Sequence, residues 1–248
     1  MMSEQTIKAP LTPADPAAGD ILALVQDGKD ALAAGRLEDA LDRFEEVIRR
    51  FPDSREGHNN LGALYATLGR HEKAERCFSR VLDLAPGTPN VHYNRGLSRT
   101  RLRRYVDAIT DFEAVLRAQP TDADSWNNLG VAHFLNQDHA AAAANFRQAL
   151  TLTPNYPNAV LNLADAEAAR GRAAAAVAAC EEFLDGREDA EVAGRLVELL
   201  CDETVRLARR TAATAEARLA PHGETPEACA LVERARQAAA SLASTESA

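Results

Sequence analysis

The sequence predicts an all-α fold, a right-handed α-solenoid of about five helix pairs closed by C-terminal capping helices. Three observations predict it. The chain repeats itself every 34 residues. Its apolar content is carried by Ala and Leu, which favour helix, rather than by β-branched residues. Each repeat unit holds two segments of helical periodicity, and the first four close on a proline.

The repeat rests on four columns in register: Gly62, Gly96 and Gly130; Ala74, Ala108 and Ala142; Phe78, Phe112 and Phe146; Pro86, Pro120 and Pro154. Gly28, Ala40, Phe44 and Pro52 carry the same columns one step back. The repeats are therefore 21–54, 55–88, 89–122, 123–156 and 157–190. The fifth keeps Leu163 and Ala176 but has Ala164, Cys180 and Glu188 in place of Gly, Phe and Pro. Drift is expected in a terminal repeat, because one of its faces meets solvent or a cap.

Residues 1–20 carry Pro10, Pro13 and Pro16 with few apolar side chains, and read as a disordered leader. In 123–156, helix A is expected from about Ala123 to Asn136 and helix B from about Ala140 to Leu152, with Thr153-Pro154 as the stop. A glycine inside helix A costs about 0.5–1 kcal/mol relative to Ala, so its recurrence implies a steric reason. The expectation is that helix B approaches helix A closely there, Gly facing the Ala column, while the Phe column fills the space toward the next unit. Residues 191–248 read as a cap. One helical stripe holds Val192, Leu196, Leu199, Leu200 and Val205, Pro221-His222-Gly223 breaks it, and a final helix spans 226–243 around Leu231, Val232 and Ala235. Dimerisation through these helices is the competing reading.

These residues resemble the tetratricopeptide repeat family, whose pattern is W-x2-L-G-x2-Y, then A-x3-F, then P. The match is closest in 55–88 (His58, Leu61, Gly62, Tyr65, Ala74, Phe78, Pro86) and in 123–156 around Trp126-Asn127-Asn128-Leu129-Gly130. The resemblance covers 21–190 and implies a scaffold for binding other proteins. It does not specify a partner, because the family positions build the fold and not the site.

The 248 residues carry a net charge of −9 and a pI near 5.2, which disfavours nucleic acid as a general partner. Cys77, Cys180, Cys201 and Cys229 are too far apart for a zinc framework and read as reduced thiols. No apolar run is long enough for a membrane span and no secretory signal is visible, so the expected compartment is the cytoplasm. Phosphate-loop, dinucleotide and nucleophile-elbow motifs are lacking, and no catalytic residue, cofactor or metal is predicted. His71-Glu72 has no second histidine in the zinc-protease position, and His58 and His92 stand where Trp126 does, as packing residues.

Helices A of such an array are expected to line a concave groove. One position there is asparagine in four successive repeats, Asn60, Asn94, Asn128 and Asn162, and Asn59 and Asn127 precede two of them. A carboxamide complements the N–H and C=O of a peptide backbone. The arrangement looks like the asparagine ladder of the repeat superhelix in the O-linked N-acetylglucosamine transferase. A solvated family residue is the plainer alternative. Between Val91 and Val106 lie Arg95, Arg99, Arg101, Arg103 and Arg104. Either Asp107, Asp111 or Glu113 compensates them, or Arg101 receives a carboxylate. Val25 stands where the family's two-carboxylate clamp has its first lysine, so that specificity is not expected. The resulting expectation is a non-catalytic adaptor holding an extended peptide on Asn59, Asn60, Asn94, Asn127, Asn128 and Asn162, with Tyr93, Phe134 and Arg101 adding selectivity. A self-assembling scaffold and the regulatory subunit of an enzyme are the alternatives.

Overall fold

A computed structural model describes residues 16–185 and 187–219. The described residues form eleven α-helices and no strand. They are α1 (Pro16–Ala33), α2 (Leu37–Arg50), α3 (Arg55–Thr67), α4 (His71–Leu84), α5 (Pro89–Arg101), α6 (Tyr105–Ala118), α7 (Ala123–Leu135), α8 (His139–Leu152), α9 (Pro157–Ala169), α10 (Ala173–Leu184) and α11 (Ala190–Leu219). Odd-numbered helices through α9 are the A helices and even-numbered ones the B helices, two per repeat. None is long and apolar enough to cross a membrane.

The residues fall into two compact units, one through Asn136 and one from Gln137. In the first, each helix from α1 to α7 packs on the next, and α1, α3, α5 and α7 also touch in sequence. In the second, α8 to α11 pack serially and α9 also touches α11.

Local chemistry sets the helix ends. Helices α1, α3, α5 and α9 close on the same double hydrogen bond. Arg36, Arg70, Arg104 and Arg172 N–H donate to the carbonyls of Ala31, Tyr65, Arg99 and Glu167, and the residue before each donates to a carbonyl three back. The turn residue is left-handed, and it is glycine at Gly35, Gly69 and Gly171. Ser54 Oγ accepts from Gly57 N–H at 3.1 Å to start α3, and Asp138 Oδ1 accepts from Ala141 N–H at 3.0 Å to start α8. The B helices stop at Phe51, Ala85, Gln119 and Thr153, each followed by a column proline.

The structure corrects four expectations. Helix α1 begins at Pro16, so 16–20 belong to it and not to a leader; proline suits a first turn, whose N–H has no intrahelical acceptor. Residues 1–15 and the helix expected at 226–243 lie outside the described residues. The glycine column makes room for phenylalanine and not for alanine. A Cβ at Gly28 would lie 2.5 Å from the Phe44 ring, at Gly62 2.9 Å from Phe78, and at Gly96 3.0 Å from Phe112. The Phe column thus fills the interior of its own repeat, and Phe44, Phe78 and Phe112 are fully buried. Lastly, Val192, Leu196 and Leu199 of α11 pack on Val160, Ala164 and Cys180, but Leu200 is 44% exposed. It lies a full 100° around the helix from Leu199.

The Trp column also has a polar role. His58 Nε2, His92 Nε2 and Trp126 Nε1 donate to the carbonyls of Pro52, Pro86 and Pro120 at 2.8, 3.0 and 2.9 Å. Each bond ties an A helix to the proline that closes the preceding repeat. His and Trp serve alike because both present a ring N–H at similar reach.

Candidate functional site

Packing of α3 against α5 and of α5 against α7 brings Asn60, Asn94 and Asn128 onto neighbouring helices at one register. All three are half-buried, and residues at helical spacing from them on the same helices are exposed: Glu56 and Asp124 four before Asn60 and Asn128, Leu97 three after Asn94, and Thr67, Arg101 and Leu135 seven after each. Asn60 Nδ2 donates to the Glu56 carbonyl at 2.8 Å, and Asn128 Nδ2 to the Asp124 carbonyl at 2.9 Å. Each of these two amides is thereby oriented by its own helix, four residues back. Neither of the two Oδ1 atoms is used in those bonds, and a carboxamide oxygen accepts N–H groups.

Tyr93 and Asn128 form a pair across α5 and α7. The Tyr93 hydroxyl accepts from Asn128 Nδ2 at 2.9 Å, and the ring meets Phe112 edge-on, centroids 5.9 Å apart at 73°. Burial raises the phenol pKa above its ordinary value, with Asp124 and Asp122 adding to the shift. Tyr93 therefore stays a neutral hydroxyl on this face. Asn127 is only 7% exposed and leaves little surface to a ligand; Asn59 is half-buried. Phe134 is half-buried near the end of α7. In the unit that begins at Gln137, Asn162 is half-buried on α9.

The arginine cluster divides. Asp111, 1% exposed, is clasped by Arg95 through Nη2 at 2.7 Å and Nε at 3.0 Å, and by Arg99 Nη1 at 2.8 Å. His92 Nδ1 lies 2.9 Å from the same carboxylate. Glu75 of the preceding repeat accepts from Arg99 Nε at 2.9 Å and Arg104 Nη1 at 2.7 Å, and Arg104 also reaches Asp107 at 2.8 Å. Three arginines and three carboxylates thus cancel at the junction of α4, α5 and α6. Asp107 and Asp111 were legible as partners; Glu75 was not, because it stands 24 residues from Arg99. Arg101 and Arg103 remain exposed outside this network.

Two further residues on the α5–α7 face were missed by sequence reasoning: Leu97 and Leu135, 37% and 38% exposed. The signal was present, since Leu97 stands where Ala63 stands one repeat earlier and Leu135 shares the column of Arg101.

Away from this face, an open depression of about 770 Å³ lies among α2, α3 and α4. Asp42, Glu45 and Glu46 oppose Arg49, Lys73 and Arg76 around it, so its rim carries no net charge. Tyr65 donates to Glu45 Oε1 at 2.6 Å, and the Lys73 ammonium sits 5.1 Å over the Tyr65 ring. Burial, and then the bond to Glu45, pushes the Tyr65 hydroxyl up to about 12. Burial also pushes the Cys77 thiol up to about 11, the opposite of what a nucleophile needs. Among the described residues no three His, Cys, Asp or Glu side chains converge as metal ligands would.

A family model described as tetratricopeptide repeat matches residues 26–89, 93–157 and 137–191. No curated protein matches the sequence at a significant level. Among solved structures, MamA from Desulfovibrio magneticus is similar at 23% identity over 69% of this chain and 95% of its own, with a TM-score of 0.63. YrrB, described as a tetratricopeptide protein with an unusual peptide-binding site, is similar at 14% identity over 75% of this chain and 99% of its own, TM-score 0.64. A tetratricopeptide repeat protein from Parabacteroides merdae is similar at 18% identity over 84% of this chain and 81% of its own, TM-score 0.67. At these identities the likeness is one of fold.

Proposed function

From the premise that this chain belongs to the tetratricopeptide repeat family, we propose that it is a non-catalytic adaptor holding an extended protein segment against α3, α5 and α7. The observation that carries this reading is the in-register placement of Asn60, Asn94 and Asn128 on three successive A helices. Asn60 and Asn128 have their amides fixed by a backbone carbonyl four residues back. A fixed amide binds with less side-chain ordering cost, which at an interface is about 0.5–1.5 kcal/mol per immobilised side chain. Backbone contacts give affinity without sequence choice; Leu97, Leu135, Phe134 and Arg101 supply the choice. The description of YrrB as peptide-binding supports the class of ligand. The test replaces Asn94 and Asn128 by Ala. Loss of bound peptide with an unchanged melting temperature is expected; retained binding would retire the reading.

A second reading, self-assembly through the C-terminal helices, draws on exposed Val197, Leu200 and Leu207 of α11. Light scattering during size exclusion separates the two. An oligomer that Leu207→Glu disperses would favour self-assembly, and a monomer at all concentrations would remove it.

A further inference from the structure

We propose that Tyr93 and Asn128 act as one reader of the bound segment: Tyr93 donates to the C=O, and Asn128 accepts the N–H, of a single extended residue in its interior, which is never proline. This inference rests on the peptide-binding reading above and deepens it.

The first observation concerns the donors of Asn128. Its Nδ2 donates to the Asp124 carbonyl and to the Tyr93 hydroxyl, both at 2.9 Å. A backbone carbonyl can only accept, which fixes the nitrogen on that side. A carboxamide has two N–H donors, and here both are spent. What Asn128 has left is Oδ1, an acceptor, which meets no donor among the described residues. Asn60 differs. Its Nδ2 makes one bond, to the Glu56 carbonyl at 2.8 Å, and keeps its second N–H. Of these two asparagines, Asn128 is the one that cannot donate to a peptide carbonyl.

The second observation is the Tyr93 hydroxyl. It accepts from Asn128, and its own proton meets no acceptor among the described residues. Burial raises the phenol above its ordinary value, so the proton is kept. The ring is held in place, edge-on to Phe112 and packed on the cluster that includes Ala108 and Leu129. Tyr93 on α5 thus supplies the donor that Asn128 on α7 lacks. Its position is distinctive in sequence as well, because Tyr93 stands where Asn59 and Asn127 stand in the repeats on either side.

Together the pair presents one donor and one acceptor. In an extended chain the N–H and C=O of one residue point to the same side, as when antiparallel strands exchange both bonds. Such a residue is the complement of the pair. Proline has no N–H and is excluded. A C-terminal carboxylate brings no N–H to Oδ1. It would also meet the negative charge of Asp124 and Asp122, which after burial are the next causes of the raised phenol. The residue read is therefore interior to the segment.

The experiment selects peptides from a random display library on the full chain, then replaces each backbone amide of one selected peptide by an ester in turn. An ester deletes the N–H of its own residue and weakens the preceding C=O as an acceptor. Fluorescence anisotropy should show two successive positions at which the ester weakens binding, by about two- to twelvefold each. The first loss should vanish in Asn128→Ala and the second in Tyr93→Phe, which keeps the ring and removes the donor. A tyrosine with a structural role alone would leave both ester losses in place. Selected peptides should also lack proline at the first of the two positions. A scan with no such pair, a pair that Tyr93→Phe leaves intact, or proline at the first position would each overturn the proposal and leave peptide binding standing. A library that yields no binding peptide would remove both.

Discussion

At the scale of single residues, the glycine–phenylalanine contact governs how each repeat closes. Phe44 meets the space where a Gly28 side chain would begin, and the ring is fully enclosed and cannot swing aside. Gly28→Ala gains up to about 1 kcal/mol of helix propensity but overpacks the ring, which costs about 1–3 kcal/mol. Urea denaturation should therefore show net destabilisation, whereas an exposed mid-helix glycine would show a gain. Tyr65 makes a prediction in pH. Its hydroxyl has an ordinary value of 10.0 and is held up to about 12 in the folded chain. The stability it contributes is whole below pH 10 and is lost as pH rises through 12. Tyr65→Phe should flatten the loss of stability across that window; an identical alkaline profile would show that burial and Glu45 do not hold the proton. Cys77, raised to about 11 by burial, should react with a thiol reagent at neutral pH only when the chain unfolds.

At the scale of helices, the network around Asp111 decides how α4, α5 and α6 dock. Burying ions costs solvation, which their mutual hydrogen bonds repay only when all are present. Asp111→Asn keeps the shape but leaves Arg95 and Arg99 short of their shared anion. The expected loss is about 3–5 kcal/mol by thermal or chemical denaturation. It should vary little with salt, because buried pairs are screened less than exposed ones. Replacing the exposed Asp39, paired with Arg36 at 2.9 Å, should change stability by less than about 1 kcal/mol. Equal effects at the two sites would mean that burial of Asp111 adds nothing.

At the scale of the whole molecule, each helix from α1 to α7, and each from α8 to α11, leans on its sequence neighbours within its own unit, and damage should stay local. Phe112→Ala should cost about 3–5 kcal/mol. Hydrogen exchange should quicken most in α5 and α6, less in α4 and α7, and least in α1; uniform acceleration across α1 to α7 would show a single cooperative block instead. Columns repeated at 34 residues carry the helix count, the helix ends and the family, because each is dictated by residues a few positions apart: a proline stops a B helix, a glycine turns an A helix, and 3.6-residue spacing selects the buried side. The asparagine register was legible for the same reason. Periodicity did not reveal what each repeated position touches. Gly62 and Phe78 stand 16 residues apart, and only the crossing of α3 and α4 sets the ring on the glycine rather than against the next repeat. Five arginines in one segment look alike as a string. Only stacking α5 on α4 brings Glu75 to Arg99 and Arg104, consuming three cations and leaving Arg101 and Arg103 free, because contact between repeats depends on helix packing and not on distance along the chain.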